Sequence, residues 1–453
     1  MYTLSKKLKT FSIALMILGA FGIGWGFYSA PSTVEEAKEI IAHNSQDSHG
    51  SNHEEAASTH NVDTSHGGGH DEATSHDAKH DEHVFHQLQN RPWSALFVAI
   101  FFFMMLALGT LVFYAIQHVA QAGWSIVLFR VMEGITSYLP VGAVILFVFL
   151  VLSSMDMNHI YVWMNPDLVD PASDSFDQLL FNKKGYLNVP FFLIRAVIYI
   201  TGWVLYQRYS RKQTLALDNS NNGDLKHYKR LMGASAAFLV FYLVSESMMS
   251  WDWLMSIDHH WYSTLYGWYI FSGMIVCGIT TIALVTIYLK SQGYLEIVND
   301  SHLHDLAKFM FGFSIFWTYL WFSQFMLIWY ADIPEEVTYY AQRFDEIKGP
   351  FIAMVVMNFL FPVLILMNSD FKRLPWFIVM AGIIVLVGHY IDIYVLITPG
   401  TVGPHWKFIS PEVIGSAMFF LGLFILVVFN ALTKAPLVIK ESPFLKESEN
   451  YQY

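Results

Sequence analysis

Read from its N-terminus, the chain alternates long apolar runs with shorter polar connections. The apolar runs begin near Phe11, Ala95, Leu139, Val189, Leu231, Thr264, Phe309, Gly349, Pro375 and Val413. Each is long enough to cross roughly 30 Å of hydrocarbon as a helix, so the pattern predicts an all-α, polytopic membrane protein with ten spans. The connections carry the orientation signal. With Lys6, Lys7 and Lys9 in the cytoplasm, the inner connections hold Arg130, Arg208, Arg211, Lys212, Lys226, Lys229, Arg230, Lys372, Arg373, Lys434, Lys440 and Lys446. The outer ones hold acid: Asp167, Asp170, Asp174 and Asp177 in one, Asp332, Glu335, Glu336, Asp345 and Glu346 in another. That alternation places both termini in the cytoplasm.

Four segments follow from this reading. Residues 1–30 form the first transmembrane helix, which resembles a secretory signal in its Lys-rich start and "YSA" ending. Pro31 disfavours cleavage and the apolar run from Phe11 to Tyr28 is long for a signal core, so the helix is expected to be retained. Residues 31–90 are read as a flexible periplasmic loop, residues 91–435 as the helix bundles and residues 436–453 as a cytoplasmic tail. The loop holds ten of the nineteen histidines, in a stretch rich in Gly, Ser, Asp and Glu that lacks apolar periodicity. Its imidazoles could take metal weakly or buffer protons, but their irregular spacing defines no coordination geometry, and no specific metal site is expected.

Composition sharpens the picture. Of 453 residues, 54% are hydrophobic and only 14% charged, where a globular domain averages about a quarter charged. A net charge of −11 argues against a nucleic-acid partner. The single cysteine, Cys277, lies inside an apolar run, which excludes an internal disulfide, a CxxC pair and a Cys-ligated iron–sulfur cluster. Neither a CxxCH motif, a Walker loop nor a dinucleotide-binding glycine pattern occurs. With His389 the one histidine well inside a predicted span, a bis-histidine haem is not expected, and the chain is expected to carry no redox metal of its own.

Against this background, ionisable residues within the spans stand out. A charge at the bilayer centre costs at least about 2.5–3.5 kcal/mol, so such groups pair, face a cavity or serve function. Arg195 lies in the fourth span, Glu246 near the outer end of the fifth, and His389 and Asp392 in the ninth. The i, i+3 spacing of His389 and Asp392 puts both on one helical face, where they can share a proton or simply fix packing. Arg195 is either part of a proton path or an ion-pair partner of Glu246. The stretch "SESMMSWDWLMSIDHHWYSTLYGWY" reads as an interfacial turn, with Glu246 its first candidate acid and Asp252 its second. Asp258, His259 and His260 are expected at the surface, Asp258 as a cap of the sixth span. His304, Asp305 and Lys308 open the seventh span and would form a cytoplasmic mouth. His159, beside Tyr161 and Trp163 beyond the third span, suits hydrogen bonding to a quinone oxygen with an aromatic wall, or is an incidental member of an aromatic belt.

Three stretches, "DWLMSIDHHWYSTLYGWY", "YLNVPFFLIRAVIYI" and "HDLAKFMFGFSIFWTYLWFSQFMLIWYADIPEE", closely resemble the NrfD/polysulfide-reductase-like membrane subunits of bacterial alternative complex III, a quinol:cytochrome c oxidoreductase. The resemblance covers roughly residues 90–435 and leaves the His-rich loop outside. It implies ten helices with the central eight in two four-helix bundles, flanked by two peripheral helices. The implied location is the bacterial inner membrane. Implied partners are an iron–sulfur subunit, multihaem cytochrome c subunits, a sister membrane subunit and a terminal oxidase. Iron–sulfur clusters and c-type haems would sit only in those partners, and the one cofactor this chain could contact is a quinone such as menaquinone. His159 aligns with the family's quinol-facing histidine, while the shorter sequence and long outer loop favour the second of the two related subunits.

The resulting expectation is a subunit without a cofactor of its own. It either contributes a quinone pocket at His159, Tyr161 and Trp163, or supplies a proton path through Arg195, Glu246, Asp252, His389 and Asp392, with His304, Asp305 and Lys308 at its mouth. The alternatives are a secondary ion or solute transporter, for which matched Gly/Pro-broken helices are missing, and a structural scaffold in which the charges are packing pairs.

Overall fold

The apolar runs become helices because, in hydrocarbon, a spanning segment must satisfy its own backbone hydrogen bonds. A computed structural model describes residues 2–48, 81–219, 225–439 and 441–452, and among them no strand occurs. Among the described residues, ten helices are long and apolar enough to span a membrane. They are α1 (Lys6–Tyr28), α2 (Arg91–Val119), α3 (Gly123–Ser154), α4 (Val189–Asp218) and α5 (Lys226–Trp253), then α6 (Tyr266–Ser291), α7 (Asp300–Ala331), α8 (Lys348–Leu366), α9 (Pro375–Val402) and α10 (Pro411–Leu432). The chain is a multi-pass, all-α membrane protein.

Two helices form the centre. α2 and α6 are buried along most of their length and cross where glycines let the backbones touch. A Cβ at Gly109 would lie 1.9 Å from the Met274 carbonyl oxygen, and one at Gly278 would lie 2.5 Å from the Gly109 carbonyl carbon. Small residues at such crossings replace the hydrophobic drive that lipid cannot supply. Gly109→Ala is therefore expected to force the central helices apart and lower the thermal unfolding midpoint in detergent, with Gly24→Ala, whose Cβ position is open, unaffected.

Around this crossing α2 to α5 pack as one bundle and α6 to α9 as a second, while α1 and α10 pair outside them. The outer pair is again glycine-mediated: a Cβ at Gly22 would come 2.8 Å from the Gly415 Cα. This is the arrangement of two bundles and two peripheral helices that the resemblance implies. Both chain ends lie at one end of the molecule. Tyr2 packs edge-on against Tyr294 at 5.0 Å, and Tyr451 donates to Asp305 at the start of α7.

Three departures from the sequence reading have local causes. α3 starts at Gly123 rather than near Leu139, because a 3-10 turn (Gly123–Leu128) and a short helix (Phe129–Thr136) precede its apolar half. Arg130 is consequently not a loop residue; it is buried, bonded to Glu133 at 2.7 Å and paired with Asp218. Residues expected to be loop on either side of the His-rich stretch are helical, at Val34–Ser48 and at 81–89, where Ala37, Val84 and Leu88 bury against one another. The middle of the expected flexible loop, 49–80, lies outside the described residues. Finally, α8 contains one π-helical turn, Val356–Leu360, which carries the fully buried Asn358 against Gly388 of α9.

Candidate functional site

Buried charge collects at distinct places in the two bundles. In the first, Arg195 of α4 grips Asp252 of α5 with both arms: Nε donates to Oδ2 at 2.7 Å and Nη2 to Oδ1 at 2.8 Å. Tyr199, one turn on from Arg195, donates to the same carboxylate at 3.0 Å. The guanidinium stacks 4.0 Å from the Tyr186 ring centroid and 4.2 Å from that of Phe191, so its faces are covered as well. Planar, bidentate pairing of this kind is a strong form of charge-assisted hydrogen bond.

Asp252, not Glu246, is thus the partner of Arg195. Six residues along a helix turn the side chain by about 240°, so the two acids leave α5 on different faces. Glu246 faces α2 and α6, where it lines a cavity of about 170 Å³ with Val112, Ile116, Tyr242, Trp268 and Phe271. Its Oε1 is buried with no hydrogen-bond partner among the described residues. Asp252 was expected at the membrane interface and is instead completely buried.

The second bundle centres on Asp392. Tyr269 of α6 donates to one carboxylate oxygen, and the Trp317 indole of α7 donates to the other at 3.1 Å. His389, one turn earlier on α9, brings Nδ1 to 3.5 Å from Asp392 Oδ2, so the i, i+3 pair does meet. The approach lacks hydrogen-bond geometry, and both imidazole nitrogens are buried without a described partner. The same holds for both polar atoms of Asn358, for Ser314 Oγ on α7 and for the Tyr390 hydroxyl. Ser314, Trp317 and Gln324 recur at helical spacing, giving α7 a buried, partly polar stripe facing this site. Toward the end shared by the chain termini, Lys308 donates to Asp305 at 3.2 Å and His304 Nδ1 lies 3.9 Å from the same oxygen.

The aromatic pair flanking His159 does other work. The Tyr161 hydroxyl donates to the Trp253 carbonyl at 2.9 Å, and the Trp163 indole to Ser256 Oγ at 3.3 Å. Both rings are buried and brace the end of α5 just beyond Asp252. His159 turns elsewhere: its ring lies 3.9 Å from that of His86, and its Nδ1 lies 3.4 Å from Asp156. Burial, with His159 beside it, lowers the pKa of His86. Tyr161 and Trp163 are thus turned into the protein, while His159, only half-buried, faces His86 and Asp156, so the structure does not gather the three into one aromatic-walled pocket.

Two residues carry more than the sequence suggested. Asp258, expected to cap α6, accepts instead from Arg343 Nη2 at 3.0 Å, while Leu265 stands at the cap position. Arg343, in the connecting helix Pro334–Glu346, is 1% exposed and sits 3.4 Å above the Tyr339 ring. Nothing local distinguishes it from a solvated arginine. Glu133 had a legible signal, since Arg130 and Glu133 are an i, i+3 pair beside an apolar run. His260 is exposed as expected, but His259 is half-buried. Burial, with His260 adjacent, pushes the His259 imidazole down to about 4.

No protein-family model matches the chain, and no curated protein matches it either.

Proposed function

We propose that the chain is a proton-conducting membrane subunit of a quinol-oxidising assembly in the bacterial inner membrane, related to the NrfD-like subunits of alternative complex III. Redox cofactors reside in partners: an iron–sulfur subunit, multihaem c-type cytochromes and a sister membrane subunit. The observation that carries the reading is the Asp392 centre, where a buried carboxylate meets a hydroxyl, an indole and an imidazole from three helices. A membrane protein retains such a group at a cost of several kcal/mol. Buried polar atoms without a partner among the described residues, here on Ser314, His389 and Asn358, are the kind of site at which internal water binds. Together with His304, Asp305 and Lys308 at the end bearing the termini, they outline a route along α7 and α9.

Quinol oxidation removes two electrons and two protons, and the protons need bases to receive them. In this reading the chain supplies bases and a path, and quinol contact belongs to a partner. Glu246 is a second candidate acid, on α5 in the first bundle and apart from the route along α7 and α9, because a carboxyl facing an apolar cavity changes charge only when a proton arrives or leaves.

The test uses the assembled complex purified from membranes and incorporated into vesicles. Glu246→Gln and His389→Gln are expected to lower proton release per electron while the complex stays assembled. Unchanged turnover and unchanged proton release in both variants would refute the reading. Loss of assembly, with normal turnover in whatever complex remains, would identify a scaffold instead.

A further inference from the structure

Away from the chain termini, the connection between α3 and α4 meets the connection between α5 and α6. Asp177 caps the short helix Gln178–Lys183: its Oδ1 accepts from the N–H groups of Leu179 and Leu180 at 2.8 Å and 3.2 Å. That cap holds the carboxylate so that Oδ2 faces His260 Nε2, with which it is hydrogen-bonded. The His259 ring stands beside that of His260, centroids 4.4 Å apart. Lys183 holds the His259 backbone in place by donating to its carbonyl at 2.7 Å. His259 Nδ1 is buried with no partner among the described residues. One ligand atom from each of Asp177, His259 and His260 lies within 4.8 Å of the other two.

We propose that Asp177, His259 and His260 bind one divalent transition-metal ion of the Zn²⁺ class at the membrane surface, leaving a fourth position for water. This does not depend on the proton-conducting reading. Two imidazoles and a carboxylate suit zinc, whereas calcium and magnesium take oxygen shells. Ligand atoms roughly 2.0–2.2 Å from a tetrahedral zinc lie about 3.4 Å from one another. The atoms lie within 4.8 Å of one another, so reaching that spacing takes shifts of about an ångström, the bonded Asp177–His260 pair opening to admit the ion and His259 swinging inward, both within reach of side-chain rotation. The metal would tie the two connections together, bracing the end of the first bundle where Asp252 and Tyr161 sit.

The ten histidines between residues 43 and 86 are competing ligands by composition, so the test removes them first. The full chain with those ten changed to Asn is stripped with chelator and titrated with Co²⁺, a coloured stand-in for zinc. Expected is one ion per chain with the intense visible absorption of tetrahedral coordination. Adding Asp177→Asn or His260→Asn should weaken binding at least tenfold, the lower bound seen even for changes to residues behind a metal's ligands. Asn caps a helix as well as Asp does, so Asp177→Asn removes the ligand charge without unfolding the connection. A Zn²⁺-dependent rise in unfolding temperature should likewise vanish in that variant. Absence of Co²⁺ binding once the ten histidines are gone, or binding indifferent to Asp177→Asn and His260→Asn, would overturn the proposal and leave an ordinary ion pair.

Discussion

Arg195→Leu alone, or Asp252→Leu alone, is expected to destabilise the protein by about 3–5 kcal/mol, because each leaves the opposite charge buried without its partner. Asp252 is fully buried and would keep the Tyr199 hydroxyl but no positive charge to match its own, and Arg195 would keep the Tyr186 carbonyl and two aromatic faces. The double variant Arg195→Leu/Asp252→Leu should recover much of the loss, since an apolar pair of similar volume carries no desolvation cost. Unfolding of the four forms in mixed detergent micelles measures the cycle. A double variant that loses the sum of the two singles would mean that the residues act independently, and that the bidentate contact does not hold α4 to α5. Arg195→Lys should also be poor, because an ammonium cannot reproduce the planar fork.

The largest functional effect is expected at Asp392. Asp392→Asn should slow proton transfer by about 10²–10⁴-fold, the usual contribution of a positioned proton donor or acceptor, while leaving the fold in place. The amide oxygen can accept the Trp317 N–H, and the amide N–H can donate to the Tyr269 oxygen, whose hydroxyl proton is free to rotate. Shape and hydrogen bonding therefore survive while the titrating group is lost. Proton uptake by vesicles carrying the assembled complex is the measurement, with electron transfer followed in parallel. Trp317→Phe removes a fixed donor but no proton-carrying group and should have a far smaller effect. Proton movement equal to the unmodified complex in Asp392→Asn would reduce the centre to a packing device.

How much of this was legible in the chain differs from residue to residue. The meeting of His389 with Asp392 follows from one helical turn, and a turn is the same in every helix. The partner of Arg195 does not follow in this way: Glu246 and Asp252 are both acids on the same helix, and the choice rests on how α5 is rotated against α4. Tyr161 and Trp163 have the composition of an aromatic pocket wall, but hydrogen bonds to Trp253 and Ser256 turn them inward. Arg343 sits in a polar-looking helix whose sequence suits solvent as well as a buried seat over Tyr339.

The sequence by itself determined the number of spans, the all-α class, the helical faces and the presence of charge within the membrane. These depend on hydrocarbon thickness and on the 3.6-residue turn, both of which act locally along the chain. Tertiary structure alone decided which charges pair, which acid is left facing a cavity, and that the histidines of one connection meet Asp177 of another. Those outcomes are set by the rotation and crossing of helices distant in sequence, through contacts as close as Gly109 on Met274, and no short window of residues contains both partners.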